Sequence, residues 1–154
     1  MRIIAFDLGS NFAWAHNCTS GYFIETGFVV IKGQRAWRQG GILVHLQLLF
    51  DDFRIKPEAV VYETPFARGR DATRSLWGIA GIIEACATNA GLPVVDVAVP
   101  TIKKFATGHG KASKDQMIIA AQRMGYKGTN EHEADAVCLL RYAEANLERV
   151  LDVK

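Results

Sequence analysis

Two short apolar runs in this chain each end in a carboxylate. Ile3-Ile4-Ala5-Phe6 leads into Asp7, with Gly9 supplying a turn, and Ala59-Val60-Val61-Tyr62 leads into Glu63, after which Pro65 stops the run. Runs of this length fit buried strands. A carboxylate at the end of such a strand stands on rigid backbone, at the mouth of a sheet where water and cations reach it. A third acid, Asp135, lies in Asn130-Glu-His-Glu-Ala-Asp-Ala136. At about 100° per residue on a helix, His132 and Asp135 share a face, as do Glu131 and Asp135, while Glu133 points away. Leu139 and Tyr142 extend that face, turning Asp135 toward the core. A buried, unpaired carboxylate is costly and wants a cation. Mg²⁺ takes oxygen ligands, and two ions about 3.5–4 Å apart can flank a phosphodiester, one activating water and one stabilising the leaving oxygen. Ordinary roles compete: an Asp-x-Gly turn, helix caps, and a solvent-facing His at a helix start.

The groups meet only if the chain folds to bring them together. Residues 12–18 and 22–31 read as a second and third strand joined by the hairpin signal Thr19-Ser20-Gly21. Trp37, Ile42, Leu46, Leu49 and Phe53 recur at helical spacing over 35–53. The strand 59–63 is followed by an Ala/Ile/Gly-rich helix over 71–89, a fifth strand over 94–99, and a short helix to 105 that Pro100 opens. Ser113 caps a helix over 114–124, and Asn130 caps a last helix to about 148. A hairpin followed by parallel strands with helical crossovers implies an α/β fold, one mixed sheet with helices on both faces. In a parallel arrangement Asp7 and Glu63 project at one edge, where open α/β sheets place ligands.

With 154 residues, 49% hydrophobic and 22% charged, at a mean hydropathy of +0.06, the chain fits one globular domain and excludes disorder. No apolar stretch reaches membrane-spanning length, and the start lacks a secretory signal, so the expectation is a cytoplasmic protein with no membrane association. Cys18, Cys86 and Cys138 share no zinc or CxxC spacing, and Cys86 and Cys138 read as buried thiols. The formal charge of +2 neither requires nor excludes nucleic acid. The distribution is more telling, because basic residues gather at 32–38, 68–74 and 103–114.

Ile-Ala-Phe-Asp7-Leu-Gly-Ser, then Val-Val-Tyr-Glu63, then His132-Glu-Ala-Asp135-Ala, in this order and spacing, resembles the RuvC family of Holliday junction resolvases over nearly the whole chain. The resemblance implies the RNase H-like fold, a five-stranded mixed sheet flanked by helices, as a single nuclease domain over 1–154. It implies that Asp7, Glu63, His132 and Asp135 are a metal-binding catalytic tetrad holding two Mg²⁺ ions. His132 takes a place filled in the family by Asp or His, and Glu131 is the alternative fourth ligand. An imidazole also suits Mn²⁺, which would substitute. Phe66 matches the family's aromatic that inserts at a junction centre. It sits among Arg68, Arg70 and Arg74, a setting for stacking on an unpaired base; the alternative is an aromatic folded back on the core. Lys103 and Lys114 resemble phosphate-contacting lysines near the active site, Lys114 among the catalytic groups, and Lys104 and Lys111 extend the patch or are solvated surface charges. The resemblance also implies a homodimer acting on branched DNA, each subunit cutting one strand of a four-way junction. Leu76, Trp77, Ile79, Ala80, Ile82 and Ile83 make the 71–89 helix apolar on more than one face, compatible with a dimer contact or with burial under the sheet.

Two other readings share parts of this pattern. RuvC-like nucleases that process ribosomal RNA precursors have the fold and the early Asp. Nucleotide-binding proteins of the actin, Hsp70 and sugar-kinase type begin with a hairpin carrying Asp-x-Gly, but need a second domain and a second glycine-rich loop. The expected function is two-metal hydrolysis of a phosphodiester in branched DNA.

Overall fold

A computed structural model describes residues 1–9, 11–19, 23–66 and 69–146. Five strands form one sheet: β1 (Ile3–Asp7), β2 (Asn11–His16), β3 (Glu25–Val30), β4 (Ala59–Glu63) and β5 (Val94–Val97), in the order β3-β2-β1-β4-β5. β1 pairs antiparallel with β2, and β2 with β3, while β1 pairs parallel with β4, and β4 with β5. The five helices are α1 (Arg35–Asp51), α2 (Arg70–Asn89), α3 (Val99–Thr107), α4 (Lys114–Arg123) and α5 (Glu131–Ala145). This is the five-stranded mixed sheet flanked by helices that the sequence implied. Arg68, the Ser20-Gly21 turn, Tyr22 at the expected start of the third strand, and the expected end of the last helix near 148 lie outside the described residues.

Strand alternation divides the core into two layers. Ile4, Phe6, Val60 and Tyr62 face one way, packing with Ile42, Leu46 and Leu49 of α1 and Ile79, Ala80 and Ile83 of α2. Ile3, Ala5, Ala59 and Val61 face the other way, against Ile102 of α3, Met117, Ala120 and Ala121 of α4, and Val137, Leu139 and Leu140 of α5. β1 and β4 are thus apolar on both faces, as a central parallel pair must be. α5 lies across β1 and β2, and its small residues Ala134, Ala136 and Ala143 let it approach closely.

Local chemistry explains the helix boundaries. Ser113 Oγ accepts the Gln116 backbone N–H at 3.3 Å while Gln116 Oε1 accepts that of Ser113 at 2.9 Å, a reciprocal cap that starts α4 at Lys114. Pro100 occupies the first turn of α3, where its missing N–H costs nothing, and Gly108 ends that helix in the left-handed region at φ 87°. β2 ends at His16 rather than at 18, β3 runs only over Glu25–Val30, and β5 stops at Val97 because α3 begins at Val99, one residue before Pro100. Cys138 is buried, but Cys86 is only half-buried on α2, beside exposed Ala85, so the expectation of a buried thiol there does not hold. Among the described residues no helix is long and apolar enough to cross a membrane.

Leu139 is fully buried between α5 and the sheet. Leu139→Ala should destabilise the fold by about 2–5 kcal/mol through lost burial and a residual cavity, read as a lower urea midpoint at unchanged m-value.

Candidate active site

The same alternation that builds the core aims the first two acids. Asp7 follows Ile3 and Ala5 at a spacing of two, and Glu63 follows Ala59 and Val61, so both emerge on the α5 side of the sheet. The parallel register pairs Phe6 with Tyr62, and one step further sets Asp7 beside Glu63 at the ends of neighbouring strands. The start of α5 delivers the remaining groups. Asn130 Oδ1 accepts the backbone N–H groups of His132 at 2.9 Å and Glu133 at 3.1 Å, which fixes where the helix begins and therefore its rotational phase. Tyr126 braces this cap: its hydroxyl accepts the Asn130 N–H at 3.1 Å and donates to the Glu133 carboxylate at 2.8 Å. Glu133 accordingly points away from the site, as the helical spacing required.

Asp7, Glu63, His132 and Asp135 come together, joined by hydrogen bonds and mutual electrostatics. Asp7 is 6% exposed, and its Oδ2 accepts a hydrogen bond from His132 Nδ1 at 2.8 Å. On the far side of the ring, Asn11 Nδ2 lies 3.0 Å from His132 Nε2. Burial pushes the Asp7 carboxyl up, and the His132 hydrogen bond partly offsets this. Glu63 is pushed well above the usual carboxylate range by burial and then by the charges of Asp7 and Asp135. Asp7 and Glu63 stand close enough that each carboxyl shifts the other, raising Glu63 and lowering Asp7. Burial and the Asp7 charge push Asp135 up to about 7. His132 moves up as well, because its bond to Asp7 favours the charged ring more than burial opposes it. Raised carboxyls crowded at one strand mouth are the signature of groups whose charge lacks a counter-ion.

Three carboxylates and an imidazole form a donor set suited to Mg²⁺ or Mn²⁺, and a divalent cation would relieve the repulsion that raises the acids. Among the described residues no three such side chains already stand at metal-bonding geometry. Asp7 is instead engaged by the His132 ring. Glu131, the alternative fourth ligand, instead forms an ion pair with Lys114 and lies 3.7 Å from His132 Nε2. His132, rather than Glu131, is the residue on Asp7.

The basic residues surround this centre unevenly. Lys103, on α3, donates to the Ala112 carbonyl at 3.0 Å, and its charge lowers both Glu63 and Asp135. Lys114, at the first position of α4, is held by Glu131. Lys111 is exposed in the turn between α3 and α4, whereas Lys104 sits on α3. Phe66 is 78% exposed rather than folded back on the core. It borders an apolar cavity of about 350 Å³ whose wall includes Pro65, Val99, Pro100 and Lys103. Arg70 and Arg74 are exposed on the first turns of α2 rather than in a loop. Sequence reasoning missed Asn11 and Tyr126. Neither carries a local signal, since their roles arise from contacts across 121 and 7 residues with His132 and Glu133.

No family model matches the chain. A crossover junction endodeoxyribonuclease RuvC of Anaeromyxobacter sp. (strain K) is 34% identical over 120 residues, covering 75% of this chain and 63% of that protein. RuvC of Delftia acidovorans is 30% identical over 125 residues, covering 74% and 69%. The match thus spans just under two thirds of the first of these relatives. Among solved structures, Thermus thermophilus RuvC superposes with a TM-score of 0.75 at 21% identity, covering 98% of each chain. T. thermophilus RuvC in complex with a Holliday junction substrate gives 0.73 at 23% identity, covering 91% and 90%. The architecture is RNase H-like.

Asp135 generates a pH prediction. Its folded value of about 7 lies above the model-peptide value of 3.8, so the unfolded chain releases this proton first and the group's effect on stability worsens as pH rises from about 4 to 7. Asp135→Asn should therefore be more stable than the metal-free parent at pH 8, by roughly 2–4 kcal/mol. The difference should shrink toward zero near pH 4. Urea melts in EDTA across that range measure it, and a pH-independent difference would contradict the assignment.

Proposed function

The chain belongs to the RuvC family, and on that premise we propose that it is a divalent-cation-dependent endodeoxyribonuclease resolving Holliday junctions and related branched DNA. The reading is carried by one observation: buried Asp7 and half-buried Glu63 and Asp135 are crowded and raised at a common strand mouth, with His132 on Asp7. Ordinary turns and caps give no reason to crowd three acids together out of full solvent.

In this proposal Asp7, Glu63 and Asp135 hold two Mg²⁺ ions, or Mn²⁺ in their place, and His132 completes the set. The cations supply Lewis-acid activation of water and neutralise charge on the phosphate. Holding them would call on Glu63 as its carboxylate and on His132 Nδ1 to give up Asp7. Lys103, anchored on the Ala112 carbonyl, reduces the repulsion among the acids. Lys114 becomes available to the scissile phosphate when it leaves Glu131, so Glu131 restrains that lysine until a stronger anion arrives. Water replaces the 3′ oxygen on phosphorus, which leaves 5′-phosphate and 3′-hydroxyl ends. Exposed Phe66 offers a stacking face for an unpaired base, while Arg70, Arg74 and Lys111 contact backbone phosphates, with Arg68 assigned by sequence alone. Cutting both strands of a junction calls for two such sites, hence a homodimer. Trp37, Val44 and Leu48 of α1 and Trp77 of α2 are large, exposed and apolar, which makes the α1/α2 side a candidate contact face. The proposed compartment is the cytoplasm.

Cleavage of a labelled four-way junction beside linear duplex tests the reading, in Mg²⁺, Mn²⁺ or EDTA. The expected result is paired, cation-dependent nicks in the junction alone, reduced at least ~10³-fold in Asp7→Asn, Glu63→Gln and Asp135→Asn, since each removes a metal-holding group. Absence of both junction binding and cleavage, with turnover of RNA instead, would overturn it. Phe66→Ala should lower junction cleavage while leaving the cation requirement intact. Junction affinity should also fall linearly with log salt at a slope near −0.9 per phosphate contact, and each of Arg70→Ala and Arg74→Ala should reduce that slope by about one.

A further inference from the structure

Asn11 opens β2, and alternation puts it on the same face as Ala15, which packs in the α5 layer. Asn11 is half-buried and, among the described residues, its amide hydrogen-bonds one side chain, at the outer nitrogen of the His132 ring. We propose that Asn11 is the positioning residue of His132: its amide holds Nε2 so that Nδ1 stays directed at Asp7 and is the ring nitrogen offered to a cation.

The argument follows from what each nitrogen of an imidazole can do. The hydrogen bond made by one sets the role of the other. Asp7 Oδ2 accepts from Nδ1 at 2.8 Å, so Nδ1 carries a hydrogen and Nε2 of the neutral ring is an acceptor. The Asn11 N–H group at 3.0 Å donates to it. If Nδ1 exchanges its hydrogen for a cation, the ring hydrogen moves to Nε2, which then needs an acceptor. A carboxamide provides one by turning over, presenting its oxygen where its nitrogen was. Asp in this place would only accept, and Leu would do neither. A ligating histidine commonly donates its other N–H to such a group, which fixes the ring's orientation. Asn11 is preorganised for both states, and sits on a strand whose register to β1 pairs Asp7 with Ala13.

The cation half of this inference rests on the function proposed above; the tautomer half does not. In the metal-free protein with ¹⁵N-labelled histidine, at a pH alkaline enough for the ring to be neutral, His132 should show a pyrrole-type Nδ1 and a pyridine-type Nε2. Asn11→Leu should shift the Nε2 resonance through loss of its hydrogen bond, and Asn11→Asp should move Nε2 to the pyrrole type, with amide spectra elsewhere unchanged. Should Asn11→Leu not fold, the near-isosteric Asn11→Asp decides alone. The Mn²⁺ concentration that broadens the His132 signals should rise about 10–100-fold in Asn11→Leu. An unchanged His132 pattern in the variants would overturn the positioning role. A pattern that responds as expected in a protein whose His132 ignores Mn²⁺ would uphold the positioning role and overturn the cation reading instead.

Discussion

Like charges that the backbone will not allow to separate are the constraint on which this structure depends. Asp7 and Glu63 end neighbouring parallel strands whose register is set by apolar side chains on both faces. Two unit charges 4 Å apart repel by about 4 kcal/mol at the effective dielectric near a protein surface. Burial and this repulsion push the Glu63 carboxyl well up, and the His132 ring hydrogen-bonds Asp7. The crowded acids are therefore poised to gain from a cation.

The rest of the fold keeps that arrangement from relaxing. α5 is pinned along its length by Val137, Leu139 and Leu140 and at its start by the Asn130 cap, so His132 and Asp135 cannot retreat from the strand ends. Tyr126 ties the loop before α5 to that cap, and Arg141 donates twice to the Met124 carbonyl that closes α4, holding the α4–α5 turn. The opposite face of the sheet carries none of the four grouped side chains. There α1 and α2 cover the core with one side and turn Trp37, Val44, Leu48 and Trp77 outward.

How much of this was legible in the sequence depended on whether a feature is local. β4 and the start of α4 were readable because Val-Val-Tyr-Glu before Pro65 and Ser113 before Gln116 carry their signals within five residues. The common face of Asp7 and Glu63 followed from period-two alternation once the strands were taken as parallel. The identity of the group on Asp7 was not readable, because helical phase places both Glu131 and His132 near Asp135. Lys114 decides the matter by engaging Glu131 from a different helix. Asn11 gave no signal at all, being a polar residue at a strand start whose partner lies 121 positions away. Cys86 was misjudged because the apolar pattern of α2 runs round more than one face, and only packing against α1 and the sheet selects which face is covered.

The central claim is that these four side chains form one divalent-cation site. Anomalous scattering from crystals soaked in Mn²⁺ tests it most directly, because it locates the ions independently of any substrate or turnover. The account expects two peaks between Asp7, Glu63 and Asp135, one of them within bonding distance of His132, with His132 displaced from Asp7. A peak confined to Glu131 or Glu133, or none at the ends of β1 and β4, would contradict it.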